Sequence, residues 1–332
     1  MFAIRAAALR RLAVRAGVIA FTGLSFALLT ACGDKPSEPL RIASSPWPGY
    51  EPLYLARDIG YLPANRATLF ELPSSDISLE SFRNRSADLA TLTLDETLDL
   101  LQSGIKLRIV AVIDSSNGAD AVMARPEIKT LRDLKGKRIA IENIPLGVYM
   151  LTRTLNAAGL TRTDVQVVPL SENKHEQLYK QNKADALITF EPFKSQLSAL
   201  GAHVLFDSSR IPNEIFDLLV VHESVYLQRK ADVCDIARQW YRSLGYMRTA
   251  PEDSAQRIAR RLGVDVPAYR NMATGIVIPT LTQNRALLAG DHPALLPAAE
   301  LLTRVMLQEG QLHRTVDLRA ALAPDLQECA GQ

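Results

Sequence analysis

The sequence predicts an α/β protein made of two consecutive βαβ sets followed by a tail of helices. Short apolar segments alternate with amphipathic segments between residues 40 and 221. This alternation is typical of a mostly parallel sheet with helices on its faces. A turn-rich crossing near Asp114–Asp120 separates the two sets, and after Val225 only helical patterns remain. A helical tail without its own sheet must pack on an existing one. We therefore expect two lobes, two chain crossings and a cleft between the lobes.

The first unit is the segment RIASSPWPGYEPLYLARDIGYL at residues 41–62. It predicts a strand, a turn with two prolines, and a helix that ends at Gly60. Ligands of open α/β sheets bind beyond the carboxyl ends of the strands. Trp47 and Tyr50 lie in this turn and not on an apolar face, so they predict an aromatic platform for a small molecule. The alternative is that both rings cap the core.

The remaining elements follow from apolar runs, caps and turn residues. Strands are predicted at 67–72, 89–94, 107–114, 119–124, 138–142, 165–169, 184–190, 203–207 and 215–221. Helices are predicted at 77–84, 94–102, 131–134, 148–158, 172–181, 233–249, 255–262, 267–273, 283–288 and 294–308. Thr93 and Glu96 fit a capping box, and Pro192 opens a further helix. These elements place one lobe at 40–117 plus 218–332 and the other at 118–217.

Residues 1–31 have the pattern of a signal peptide that precedes a lipidated cysteine. Four arginines and no acidic residues lie before an apolar run at 17–29, which is short for a membrane span. The run ends Leu-Thr-Ala-Cys, which resembles a bacterial lipobox with Cys32 as the lipidated residue. We expect residues 32–39 to be a lipidated tether that holds the protein on the bilayer. The alternative is an ordinary secretory signal with a chance cysteine.

Composition excludes several classes of function. The chain has 38 basic and 36 acidic residues, and four of the basic residues belong to the predicted signal peptide. No long basic run remains, so we expect no nucleic-acid partner. With five scattered histidines and no close His/Cys spacing, we expect neither a metal site nor a cofactor. Cys234 and Cys329 would be an even pair in an oxidising compartment, either joined as a disulfide or present as two separate thiols.

Four segments resemble the type II periplasmic substrate-binding proteins of ABC importers. They are WPGYEPLYLARDIGYL (47–62), ADLATLTLDETLDLLQSGIKLRIVAVIDSSNGAD (87–120), IKTLRDLKGKRIAIENIPLGVYMLTRTLNAAGL (128–160) and ADALITFEPF (184–193). Order and spacing over roughly 40–332 are most similar to the nitrate, taurine and aliphatic-sulfonate group and its pyrimidine-precursor-binding relatives. The resemblance implies a venus-flytrap fold, a monomer at the periplasmic or extracytoplasmic face, and delivery of a solute to an ABC permease.

The resemblance also implies a set of ligand-binding positions. Carried onto this sequence, they are Ser45, Trp47, Tyr50, Thr93, Asp95, Asn117, Gly118, Asp120, Glu142, Gly147, Tyr149, Glu191 and Asp217. Several carboxylates beside aromatic rings favour an amine or another cation and repel a sulfonate or nitrate. The turn at 143–147 lacks the hydroxyl residues that an anion site would use. Each acid also has a structural interpretation, such as a helix cap, a surface ion pair or a hinge hydrogen bond.

Two other functions stay open at this point. A lipoprotein that closes on a ligand and signals to a membrane partner needs the same cleft. The resemblance to pyrimidine synthases raises the possibility of an enzyme, but those relatives carry a cysteine-rich, histidine-containing active region. This chain has two cysteines after Cys32 and no G-x-S-x-G segment, so we expect no catalytic residues.

Overall fold

The computed structural model describes residues 38–171 and 174–331. The predicted signal peptide, Cys32 and all but the last two residues of the tether lie outside the described residues. The strands are β1 (Leu40–Ser44), β2 (Ala67–Glu71), β3 (Leu89–Thr93), β4 (Leu107–Ser116), β5 (Ala121–Ala124), β6 (Arg138–Glu142), β7 (Gln166–Leu170), β8 (Ala186–Thr189), β9 (His203–Asp207), β10 (Phe216–His222) and β11 (Ile276–Val277).

The described helices are distributed between and after these strands. They are α1 (Glu51–Asp58), α2 (Ser75–Arg83), α3 (Leu94–Gln102), α4 (Pro145–Ala158), α5 (His175–Lys180), α6 (Phe193–Ala199), α7 (Glu223–Gln228), α8 (Lys230–Thr249), α9 (Pro251–Leu262), α10 (Val266–Ala273), α11 (Leu281–Leu288), α12 (Leu296–Gln308) and α13 (Pro324–Cys329). Within the described ranges, no helix combines the length and apolar character that a membrane crossing requires. The α/β class and the helical C-terminal region are confirmed.

The strands form two sheets. The first has the order β11-β4-β10-β3-β1-β2 and the second the order β7-β6-β8-β5-β9. β1 is parallel to β2 and β3, while β10 is antiparallel to β3 and β4. In the second sheet, β6 is parallel to β7 and β8, while β5 is antiparallel to β8 and β9. The chain passes to the second sheet after β4 and returns to the first at β10. Because β1–β3 are parallel to one another, as are β6–β8, the carboxyl ends of these strands lie at one edge of each sheet.

The C-terminal helices pack on the first sheet. Trp240 of α8 is fully buried in one apolar cluster with Leu40 of β1 and Leu53 of α1. Cys234 of α8 and Cys329 of α13 are joined in a disulfide that bridges 95 positions of sequence. The last helix is thereby tied to the helix that covers β1, which is the strand leading into the aromatic turn.

An ion-pair network fixes α9 against the first unit. The guanidinium of Arg261 pairs with the fully buried Glu51 and lies 3.0 Å from the Glu71 carboxylate. It also stacks over the ring of Tyr54 at 3.7 Å from the centroid. Burial raises the pKa of Glu51 to about 7 even though Arg261 acts in the opposite direction. The ion pair with Arg261 therefore offsets part of the free-energy cost of removing the Glu51 carboxylate from water.

Several boundaries differ from the sequence prediction. β4 extends to Ser116, because Ser115 and Ser116 pair with β11, a strand too short to leave a sequence pattern. α4 begins at Pro145, where a proline is favoured at the first helical position. Helices α7 and α13 were not predicted. β10 begins at Phe216, one residue after the predicted start, and extends to His222.

Candidate functional site

A small cavity of about 40 Å³ lies where strand ends of the two sheets face each other. The first sheet and its loops contribute Ser45, Pro46, Trp47, Tyr50, Ser75, Thr93 and Asp217 to its wall. Segments that follow strands of the second sheet contribute Ile144, Leu146 and Phe190, and the crossing contributes Asp120. A volume of this size holds a few water molecules or a compact chemical group.

Aromatic rings held by buried carboxyl groups form one wall. Trp47 is 6% exposed and donates its indole N–H to Asp114 Oδ2 at 2.9 Å. Tyr50 is 3% exposed and donates its hydroxyl to Asp217 Oδ1 at 2.5 Å. Phe190 meets Trp47 edge to face, with ring centroids 6.3 Å apart. Both turn aromatics are therefore fixed in position by a hydrogen bond as well as by packing.

The turn depends on a glycine between the two aromatics. A Cβ atom at Gly49 would lie 1.9 Å from Asp114 Oδ2 and 2.4 Å from Trp47 Nε1. Any side chain there would displace the Trp47–Asp114 hydrogen bond. The P-G-Y segment forms a single 3₁₀ turn that runs directly into α1.

Asp114 and Asp217 sit opposite each other on the paired strands β4 and β10. Burial raises the pKa of Asp114 to about 7, against the effect of its Trp47 hydrogen bond. Burial, followed by the charge of Asp114, raises the pKa of Asp217 well above its usual range. Two adjacent buried carboxyls cannot both ionise at low cost, so the pair keeps a proton near neutral pH. A side-chain hydrogen bond between the two carboxyls lowers the pKa of Asp114 and raises that of Asp217.

Asp120 is the second carboxyl in the cavity wall, after Asp217. It is 3% exposed, and burial raises its pKa to about 7 although its hydrogen bond with Ser116 acts in the opposite direction. The nearby ammonium of Lys194 donates to the Gly118 carbonyl at 2.8 Å and lies 3.7 Å from Glu191 Oε1. Among the described wall residues there is no lysine or arginine. The wall thus presents acid groups without a basic side chain among its described residues, and Lys194, outside the wall, lowers the pKa of Asp120 only in part.

Asp95 lies behind the cavity, at the start of α3. It is 3% exposed, and burial raises its pKa to about 6, while the nearby Thr93 side chain and Leu146 backbone N–H act in the opposite direction. Leu146 belongs to the first turn of α4. The carboxyl of Asp95 therefore faces the helix N-terminus at which an anionic ligand would be expected to bind.

A second, larger cavity of about 390 Å³ adjoins the first. Glu142 lies in its wall, and Glu142 Oε1 is 3.0 Å from His175 Nε2. The other ring nitrogen, Nδ1, is 2.9 Å from Thr189 Oγ1. Over the described ranges, no group of three or more His, Cys, Asp or Glu side chains is placed to hold a metal ion.

The family described as NMT1/THI5 like matches residues 47–254. The chain belongs to the NMT1/THI5-like family. A protein of Escherichia coli (strain K12) named as an aliphatic sulfonates-binding protein is 24% identical over 208 residues, which are 62% of this chain and 65% of that protein. The aligned part thus spans less than two thirds of that relative.

Solved structures share the fold of this NMT1/THI5-like chain. The periplasmic aliphatic sulphonate binding protein SsuA from Escherichia coli has a TM-score of 0.71 and 20% identity, covering 86% of this chain and 92% of SsuA. The alkanesulfonate-binding protein SsuA from Xanthomonas axonopodis pv. citri, bound to MOPS, has a TM-score of 0.70 and 19% identity over 87% and 98% of the two chains. The desulfurization enzyme DSZB has a TM-score of 0.67 and 18% identity over 88% and 98%. At these identities the likeness shows the fold alone, and the fold includes binding proteins and an enzyme.

The structure distributes the predicted site residues of this NMT1/THI5-like chain over several places. Six of them line the first cavity: Ser45, Trp47, Tyr50, Thr93, Asp120 and Asp217. Asp95 lies behind it, and Glu142 lines the second cavity. Glu191 Oε2 accepts the backbone N–H of Ser195 at 3.1 Å and so caps α6.

Like Asp95 and Glu191, four further predicted positions lie in neither cavity wall. Asn117 donates its backbone N–H to the Gly275 carbonyl at 2.8 Å, so it ties the crossing to the segment before β11. The carbonyl of Gly118 accepts from Lys194. Gly147 packs inside α4, where an added Cβ would lie 2.4 Å from the Glu142 carbonyl oxygen. Tyr149 donates its hydroxyl to Glu214 and is buried.

Sequence reasoning missed three residues that shape the site. Asp114 ends the apolar run LRIVAVID, and an acid at the carboxyl end of a buried strand was a usable signal. Phe190 was assigned to the end of a strand and gave no sign of facing a turn more than 140 residues earlier. His175 of α5 carried no local motif, because its partners Glu142 and Thr189 lie at the ends of β6 and β8.

Proposed function

We propose that this chain is an extracytoplasmic solute-binding protein that captures a small amine or other cation and delivers it to an ABC importer. The family and the names of its relatives support a solute-binding role. The arrangement of two sheets whose strand ends face one cavity supports the same role, because ligands of such sheets bind beyond the strand carboxyl ends.

The observation that carries the choice of a cation is the composition of the cavity wall. Trp47, Tyr50 and Phe190 surround the space together with Asp120 and Asp217, with no basic side chain among the described wall residues. Aromatic faces attract cations through the ring quadrupole, and buried carboxylates gain from a charge-assisted partner. A cation would supply the positive charge that this group of buried carboxyls lacks.

The same geometry argues against an anionic solute. The relatives named for sulfonates would suggest an anion at the start of α4, but the Leu146 N–H faces the carboxyl of Asp95. A sulfonate placed there would have to displace Asp95 and would lie close to other acids. Like charges at close range in a poorly solvated site repel strongly. We therefore infer that this chain differs from those relatives in the charge of its solute.

Closure of two lobes, 40–117 with 218–332 and 118–217, completes the proposed mechanism. A cation that contacts Trp47 and Tyr50 on one side and Phe190 on the other would favour the arrangement in which both sides are close. Replacing Trp47 by alanine should weaken binding by about 1–3 kcal/mol if the ring forms a desolvated cation–π wall.

The cellular setting of the proposal rests on the N-terminal sequence. A signal peptide at 1–31 and a lipid on Cys32 would anchor the protein, as a monomer, at the outer face of a bacterial membrane. Metabolic labelling with a radioactive fatty acid tests the anchor. A Cys32→Ser variant should lose the label and appear in the soluble fraction.

A thermal-shift screen of the mature protein tests the proposed solute class. One set contains amines, amidines and aminopyrimidines, and the other contains sulfonates, nitrate and phosphonates. A ligand that binds only the folded state raises the melting temperature by mass action, by an amount that depends on its concentration. We expect stabilisation by members of the first set. Stabilisation by the second set alone would overturn the choice of a cation.

A further inference from the structure

The second cavity shares a wall with the first. Ile144 lines both cavities. Ser75, which lines the first, lies in the chain between Ser74 and Asp76, which line the second. The two spaces therefore adjoin at the start of α2 and the segment before α4. An elongated molecule that occupies both spaces would pass the Ile144 side chain that lines them both.

The most buried polar group in the wall of the second cavity is a carboxyl fixed by a chain of hydrogen bonds. Glu142 is 7% exposed, and its Oε1 is bonded to His175, whose side chain is fully buried. His175 is held in turn by Thr189 and by stacking on Phe193, with ring centroids 4.4 Å apart. Glu142 Oε2 forms no hydrogen bond with a described residue. The relay thus fixes one oxygen and leaves the other at the cavity wall.

The Glu142–His175 pair can bind either a neutral or a cationic hydrogen-bond donor of a ligand. Burial raises the pKa of Glu142 to about 8 and lowers the pKa of His175 to about 3, so near pH 7 the pair holds one proton and no net charge. A cationic N–H at Oε2 would favour the ionised carboxylate of Glu142, so the proton on Glu142 would be released when such a ligand binds.

The two cavities differ in size, so they would hold different parts of a ligand. The first, of about 40 Å³, suits a compact head, while the second, of about 390 Å³, has room for a chain and a further polar group. Asp76 adds a second carboxyl to the larger space. Acidic groups thus line both ends of the combined space.

We propose that the second cavity is a compartment of the same ligand site and that it takes the far amino or amidino group of an elongated solute. The solute class is then a diamine or an aminoalkyl amidine, with one cationic end among Trp47, Tyr50 and Asp217 and the other at Glu142. This inference rests on the proposed function, because it presumes a cation in the first cavity.

The test compares n-alkylamines with α,ω-diamines and aminoalkyl amidines of increasing length, by calorimetric titration of the mature protein. The doubly functional compounds should bind at least about tenfold more tightly than monoamines of equal length, as expected for one added charge-assisted hydrogen bond. In Glu142→Gln this advantage should fall to about twofold or less, while monoamine affinity stays unchanged. Ile77→Trp should have the same effect, because Ile77 lines the second cavity and is 41% exposed, so the larger ring can fill the space from outside.

The matched control is Glu176→Gln. Glu176 neighbours His175 in sequence but is paired with Lys180 on the surface, so its loss should leave both affinities unchanged. An advantage of diamines that survives in both Glu142→Gln and Ile77→Trp would refute the second compartment, as would equal affinity for monoamines and diamines in the unaltered protein. In either case the proposed function stands, whereas binding of no amine or amidine at all would refute the proposed function itself.

Discussion

Replacing Asp217 by asparagine should separate ligand binding from stability. Asp217 accepts the Tyr50 hydroxyl at 2.5 Å and lies in the cavity wall. Asparagine can still accept that hydrogen bond, but it cannot offer a negative charge to a cation. The lost charge-assisted contact should weaken amine binding by about 1.5–3 kcal/mol, or roughly 10- to 150-fold. Thermal stability without ligand should stay equal or rise, because burial strongly disfavours the ionised carboxyl of Asp217.

Calorimetric titration with the best-binding amine, together with urea unfolding, measures both effects. The matched control is Asp185→Asn in the second sheet. Asp185 pairs with Arg138 at 2.7 Å, and this hydrogen-bonded pair lowers its pKa. The control should therefore lose about 0.5–2 kcal/mol of stability and keep its amine affinity. An Asp217→Asn protein that binds the amine within twofold of the unaltered chain would refute the role of this carboxyl.

Three further predictions concern stability. Because the pKa of Asp114 is about 7 in the folded chain and about 4 when unfolded, the folded state binds more protons above pH 4. The free energy of unfolding should therefore fall by about 1–3 kcal/mol between pH 6.5 and 8, summed over Asp114 and the other buried carboxyls with raised pKa values. Urea unfolding without ligand measures this change, and a rise over that range would contradict the direction of the pKa shift. Replacing Cys234 and Cys329 by serine should cost about 2–5 kcal/mol in the same assay and leave amine affinity unchanged, since the disulfide closes a long loop and neither cysteine lines the cavity. Arg261→Met should cost about 3–5 kcal/mol by leaving Glu51 buried and unpaired, and a second change, Glu51→Gln, should recover most of it; equal stability of the single and double variants would contradict this account.

Local signals were enough to predict much of the fold. The capping box of Thr93 and Glu96 starts α3 in the structure as it does in the sequence, with the Thr93 N–H bonded to Glu96 Oε2 at 2.9 Å. Gly159 ends α4 in the left-handed conformation, with φ of 68°. These features involve residues only a few positions apart, so the sequence alone contains the physical reason for them.

The site was less predictable, because its geometry depends on pairs distant in sequence. The partner of Trp47 is Asp114, 67 positions away, and the partner of Tyr50 is Asp217, 167 positions away. The sequence could suggest that aromatic rings and acids meet at strand ends. Which acid holds which ring follows from the register of β10 between β3 and β4, which tertiary packing decides.

Proton release on binding tests the central claim that a cation takes its place among buried, partly protonated carboxyls. Titration calorimetry of the best-binding amine at pH 7, in two buffers of different ionisation enthalpy, gives the number of protons exchanged. The raised pKa values of Asp114 and Asp120, each about 7, predict net release, because a bound cation favours the ionised carboxylates. Release should decrease towards pH 9. Proton uptake on binding, or no exchange at any pH between 6 and 8, would contradict the account.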